Sequence, residues 1–502
     1  MPGRLKYLLM IVLAALGCLV PSAWVALPAG VVLTLILPGW FLIGALRGLD
    51  RHAGRLWVAF AASFAGVPVV LSWVWRVSND RWAILAALVA LNAVLWLLGS
   101  GGRCANGGAP MFISPRARRF FGVMVAFVAA CVFGSYWVPE AAGRVGVRAA
   151  HDYVKHHAVL YSLEHYRLPL RNVFYAAEPG TPYYYYQYYY HLAAALKKLS
   201  AGRVSNGLAF GVTSAMLAAV FVALVYLLAR EVTGSENGAL LAAACVSVVG
   251  GWDAVPVLIR VLSGHPPPIV LDSWAPCPWR IHNLMTQFMW CPQHVAAVVT
   301  LMLGALWLRR APQARWWLVI GPVLLAGILG TSAYLAMAVY AAVGGYVLLR
   351  LWASRREPAR LGRLAVGLVA VAGLTVLLGG WQAWGYHLMN QRYPGGLTVV
   401  WDRFDYAWLG RLLPAGPLAN YLDAPWILLV DLGLPALAMV VVSRDVWRRL
   451  WADPGLRVVL LAGVIGTVTL FTVHSTTNPI DYGFRVTAKP RLGRHAEAIV
   501  DR

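Results

Sequence analysis

Apolar runs of about 18 to 22 residues recur along the whole chain, each long enough at ~1.5 Å per residue to cross a hydrocarbon core of ~30 Å. Inside a bilayer every backbone polar group must be paired within the spanning structure, and runs of this length do so as helices. The composition agrees: of 502 residues, 60% are hydrophobic and 12% charged, and the mean hydropathy is +0.65. The sequence therefore predicts an all-α, polytopic transmembrane helical bundle of about thirteen spans. They fall at roughly 6–25, 28–47, 56–75, 82–99, 120–138, 207–229, 237–256, 292–308, 316–331, 333–352, 362–381, 424–443 and 456–473. The stretches between spans reach at most about 65 residues, short for an independent domain of ~100.

The formal net charge is +22, which by itself would suit a polyanion. The basic residues, however, sit mainly in short loops between spans, so nucleic acid is excluded as a partner and the bilayer itself is the expected one. With the N-terminus cytoplasmic, the inside loops hold Arg47, Arg51 and Arg55, then Arg116, Arg118 and Arg119, then Arg309, Arg310 and Arg315, then Arg350, Arg355, Arg356, Arg360 and Arg363. Short outside connections carry few. Residues 139–206, 257–291, 382–423 and 474–502 then lie outside, as a roof over one face of a multi-pass plasma-membrane protein. Arg4 and Lys6 precede an apolar run as in a signal peptide, but no small-residue cleavage site follows, so it reads as a retained first span. Residues 1–114 form an extension of four spans, 115–485 the main module, and 486–502 a polar tail that reads as a truncated end. Cys277 and Cys291 share one outside loop, where a disulfide or two unpaired thiols are both compatible with the sequence.

Four polar segments stand out. In His151-Asp152-Tyr153-Val154-Lys155-His156-His157 a helix would put Asp152, Lys155 and His156 on one face, as base, phosphate clamp and proton relay. The bland alternative is a solvated Asp152–Lys155 pair. His151 and Asp152 could also hold a divalent metal with Glu178 or His191, although nothing in the sequence requires a cofactor. Next, Tyr183-Tyr184-Tyr185-Tyr186-Gln187-Tyr188-Tyr189-Tyr190-His191 enters a helix in which Tyr186 and Tyr190, and Gln187 and His191, share faces. The alternative there is an interfacial aromatic belt; the functional reading is a platform for sugar rings. Third, Arg280 and His282 could hold a phosphate, and Gln293 and His294 open a helix behind Pro292, where the dipole favours an anion. Last, Arg485 follows the final span with Asp481 as orienter, and Asp431 is an acid inside a span. No Walker loop, GxGxxG, CxxC pair or HExxH is present.

An acid at the start of the first large outside loop, followed by a turn and a Tyr-rich helix returning to the membrane, resembles the GT-C class of integral-membrane glycosyltransferases. The Tyr run, the Phe288-Met289-Trp290-Cys291-Pro292-Gln293-His294 stretch and Gly330-Thr331-Ser332-Ala333-Tyr334 are similar to segments of the "YYY" membrane protein family. The resemblance covers about residues 115–485. It implies a GT-C-like fold and transfer of a sugar from a polyprenyl-phosphate donor to an acceptor on the outer face, with Asp152 as base and Lys155, His156, Arg280 or Arg485 on the donor phosphate. The alternatives are a lipid or solute transporter or flippase, which would place polar groups near mid-membrane, and a non-catalytic assembly protein.

Overall fold

The computed structural model of the protein describes residues 2–45, 54–100, 114–136, 138–139, 145–146, 151–171, 182–248, 262–264, 291–310, 314–392, 397–399 and 444–475, with single residues at 412, 414 and 422. These form an all-α bundle with three short ribbons. The helices are α1 (Pro2–Leu19), α2 (Ala23–Val31) running through a π turn (Val32–Ile36) into α3 (Leu37–Ala45), α4 (Arg55–Val77), α5 (Arg81–Ser100) and α6 (Pro115–Tyr136). Then come α7 (His151–His165), α8 (Tyr188–Leu199), α9 (Asn206–Thr233), α10 (Glu236–Val248) and α11 (Pro292–Arg310). The last are α12 (Ala314–Thr331), α13 (Ala333–Ala353), α14 (Pro358–Arg392), α15 (Arg444–Ala452) and α16 (Pro454–Thr472).

Among the described residues, six helical stretches are long and apolar enough to cross a membrane: Ala23–Ile43, Arg55–Val77, Arg81–Gly99, Asn206–Thr233, Ala333–Ala353 and Pro358–Met389. Leu5–Leu19, Glu236–Val246, Trp317–Thr331 and Pro454–Gly466 are apolar but shorter. The expected span at 424–443, with Asp431, lies outside the described residues. Exposed apolar side chains such as Leu348, Val366 and Val369 cover α13 and α14, as a surface facing lipid requires and one facing water does not.

Contacts sort the helix ends into two groups. At one end, Arg309 bonds Glu231 at 3.2 Å and Asp453 at 2.8 Å, joining the ends of α9 and α11 to the start of α16; Ser114 meets Glu236 nearby. At the other, Arg81 donates to the Cys18 carbonyl (2.9 Å), and the Trp75 indole N–H donates to the Leu163 carbonyl (2.8 Å). Leu397–Val399 pairs with Val473–Ser475 in an antiparallel ribbon, which ties the segment after α14 to the segment after α16. The loop charges divide the helix ends in the same way.

The π turn between α2 and α3 leaves one carbonyl without a helical donor. The Leu37 N–H reaches the Val32 carbonyl, a π-type bond. The next donor in that series would be residue 38, a proline with no N–H, so the Leu33 carbonyl needs another partner. The buried Asn92 of α5 supplies it, donating at 3.0 Å. Asn92→Leu leaves that carbonyl unpaired and should cost about 1–2 kcal/mol, read as a lower unfolding temperature in detergent. An unchanged temperature would mean that the carbonyl is satisfied without Asn92.

Candidate functional site

The tyrosine run first pairs in a two-residue ribbon, Tyr183 opposite Leu170. It then turns at Gln187 into α8, which begins at Tyr188. At 12 residues and ~1.5 Å rise each, α8 is too short to span a bilayer. It is instead packed inside the protein. Tyr183, Tyr185, Tyr186, Tyr188, Tyr189 and Tyr190 are 3% exposed or less. Rings at head-group depth would lie open on the outer surface of the bundle, so the interfacial-belt alternative does not hold for these six. Two distant glycines make the room. A Cβ on Gly330 of α12 would overlap the Tyr188 ring, and one on Gly385 of α14 would overlap the Tyr184 ring.

Three segments far apart in sequence meet around this run. His156 of α7 is fully buried, with Nδ1 2.6 Å from the Tyr190 hydroxyl and its ring stacked on Phe210 at 4.9 Å. The Tyr190 hydroxyl also lies 3.4 Å from Gln293 Oε1 at the start of α11. On the other side of the run, the Tyr186 ring faces His294 at 5.3 Å, Tyr334 at 6.2 Å and Tyr386 at 6.5 Å. His294 Nδ1 is 2.9 Å from Ser332 Oγ, which caps α13 by accepting from the Leu335 N–H. Lys155 Nζ lies 5.4 Å from the Tyr185 ring centre, a cation–π contact.

Not every expected pair forms. Gln187 is the N-cap of α8 with helical φ and ψ, and its carbonyl accepts from the His191 N–H at 3.3 Å, yet the two side chains take different partners. Gln187 Nε2 donates instead to Gln382 Oε1 (3.0 Å), and Gln382 Nε2 donates to the Tyr185 carbonyl (2.6 Å). His191 turns to α4 and stacks on Trp75 at 5.3 Å. Among the described residues, neither of its ring nitrogens has a partner in good hydrogen-bond geometry. Burial pushes the imidazole down to about 3, against the weaker opposing pull of the Pro68 carbonyl, so it is neutral near pH 7. His157 is also lowered, first by burial and then by the charge of Lys197.

His151 and Asp152 lie in the first turn of α7, one turn before Lys155 and His156; their side chains are outside the described set. Glu178, Arg280, His282, Arg485 and Cys277 also lie outside it. Among the described residues no group of three or more His, Cys, Asp or Glu could hold a metal ion. Gln382 and Tyr386 were not singled out from the sequence. The signal was there, in a polar and aromatic run, Trp381-Gln382-Ala383-Trp384-Gly385-Tyr386-His387, closing an otherwise apolar helix. Comparison with protein families, curated proteins and solved structures gives no match.

Proposed function

We propose that the chain is an integral-membrane glycosyltransferase of the GT-C class, acting at the end of the bundle where α7 and α8 sit. The observation that carries this is the convergence of His156, Tyr186, Tyr190, Gln293 and His294, from three separate segments, at one end rather than at mid-bundle. A transporter pathway would favour the middle. A buried set of aromatic rings edged by hydroxyl, amide and imidazole groups suits a sugar.

In this reading the acceptor hydroxyl attacks the anomeric carbon of a polyprenyl-phosphate sugar. A new glycosidic C–O bond forms, the bond from the anomeric carbon to the phosphate oxygen breaks, and the acceptor proton passes to Asp152. Polyprenyl phosphate leaves with the bonding pair. Lys155, Arg280 and Arg485 are the groups to neutralise its charge. His156, held inside by Tyr190, acts as a positioning residue for the tyrosine platform. The basic end of the bundle is the cytoplasmic end, so transfer takes place on the outer face of the plasma membrane.

Protein reconstituted with a panel of polyprenyl-phosphate hexoses and pentoses, and supplied with a panel of hydroxyl-bearing acceptors, should release polyprenyl phosphate. Asp152→Asn should slow release by about 10²–10⁴-fold, the usual scale for a general base. Release that is equal in the wild type and the variant would contradict the assignment of Asp152, and no release from any donor would contradict the transferase reading.

A further inference from the structure

A cavity of about 510 Å³ lies between α11, α12, α13, α14 and α16, within the size range of small-molecule sites, roughly 300–1,000 Å³. Its walls are chiefly apolar, among them Leu301, Leu325, Val343 and Val371. Two cations line it as well: Arg350 in the last turn of α13 and Arg363 near the start of α14. Both are exposed, and among the described residues neither forms an ion pair with a carboxylate. Tyr346 lies one turn before Arg350 on the same helix and also faces the cavity.

The placement of the cavity is informative. Helices α13 and α14 are consecutive, yet they touch only sparsely, which leaves a slot between two helices whose outer faces carry exposed Leu348, Val366 and Val369. Along α13 the lining runs from Val339 to Arg350, about 16 Å by helical rise. Arg350 is about 24 Å along α13 from Tyr334 of the tyrosine cluster, so this is a different site at the opposite end of the bundle. Apolar walls of this extent exclude a soluble anion from most of the cavity, and two guanidiniums at its edge exclude a purely neutral lipid as the best fit.

We propose that this slot holds an anionic phospholipid, one acyl chain in the cavity and its phosphate between Arg350 and Arg363. The guanidinium forks match phosphate oxygens, and the chain replaces water against leucine and valine. The site does not depend on the transfer reaction proposed above.

The test is native mass spectrometry of the purified full chain after exchange into detergent with added phosphatidylglycerol, phosphatidylcholine or inorganic phosphate. Phosphatidylglycerol should be retained at least tenfold more than phosphatidylcholine. Arg350→Gln/Arg363→Gln should lose most of that preference. Gly367→Leu should reduce retention of phosphatidylglycerol as well. Gly367 lines the cavity, and a Cβ added there would meet nothing within 4 Å. A leucine at this position therefore enters open space and the fold should survive, as an unchanged elution profile would show. Equal retention of the two lipids, or retention unaffected in both variants, would overturn the site. Retention of inorganic phosphate in place of lipid would overturn the choice of ligand.

Discussion

Gly330→Ala is expected to destabilise the protein by about 3 kcal/mol or more, at the upper end of what one added carbon usually costs in a packed core. The reason is local and one-sided. The new Cβ would overlap the Tyr188 ring, and that ring has nowhere to go. Tyr188 is 0% exposed, packs with Val69 and Ala326, and has its hydroxyl 3.3 Å from Ser72 Oγ. Helix propensity pushes the other way, since Ala is better than Gly by about 1 kcal/mol. Gly344→Ala on α13, with nothing within 4 Å of its Cβ, isolates that term and should be neutral or slightly stabilising. Pairing Gly330→Ala with Tyr188→Ala should recover about 2 kcal/mol relative to the sum of the single changes, because the clash no longer exists. Unfolding temperatures of the four variants in one detergent would check this. Additive losses would mean that Tyr188 is not held against Gly330.

The second large effect is on acid stability. His191 has a folded-state pKa of about 3, against an ordinary ~6.5 in the unfolded chain. Below pH 6.5 the unfolded state therefore binds more protons than the folded one, and folding stability falls as pH falls from about 6.5 toward 3. The loss from this group alone is about 2 kcal/mol between pH 7 and pH 5. His157, lowered in the same direction, adds to it, so the contrast that isolates His191 is wild type against His191→Phe. Phenylalanine keeps the stack on Trp75 and removes the titration. The wild type should lose stability on acidification by about 2 kcal/mol more than the variant. Parallel curves would mean that a polar partner for the imidazole exists in the folded protein.

What the sequence made legible, and what it did not, divides along the range of the interaction. The α7 helix over His151–His165 and the α11 start at Pro292 follow from local chemistry, and both are present. The grouping of helix ends follows from loop charge, and Arg309 with Glu231 and Asp453 agrees with it. The span count was harder. Apolarity marks where a helix is, but among the described residues six stretches meet both length and composition, fewer than the thirteen runs suggested. The tyrosine run shows the deeper limit. A belt and a core have the same sequence here, and the difference lies in Gly330 and Gly385, far along the chain, whose missing side chains admit the rings. Gln187 and His191 keep the helical spacing and its backbone bond, but Gln187 turns to Gln382 and His191 to Trp75, partners on α14 and α4 that a spacing of four does not name.

The proposed transfer reaction is tested most directly by the lipids that stay with the protein. Wild type and Asp152→Asn would be purified from the same membranes and their retained lipids identified by native mass spectrometry. A donor site blocked before transfer predicts a polyprenyl-phosphate sugar enriched on Asp152→Asn and depleted on the wild type. Ordinary phospholipid alone on both proteins would contradict the account.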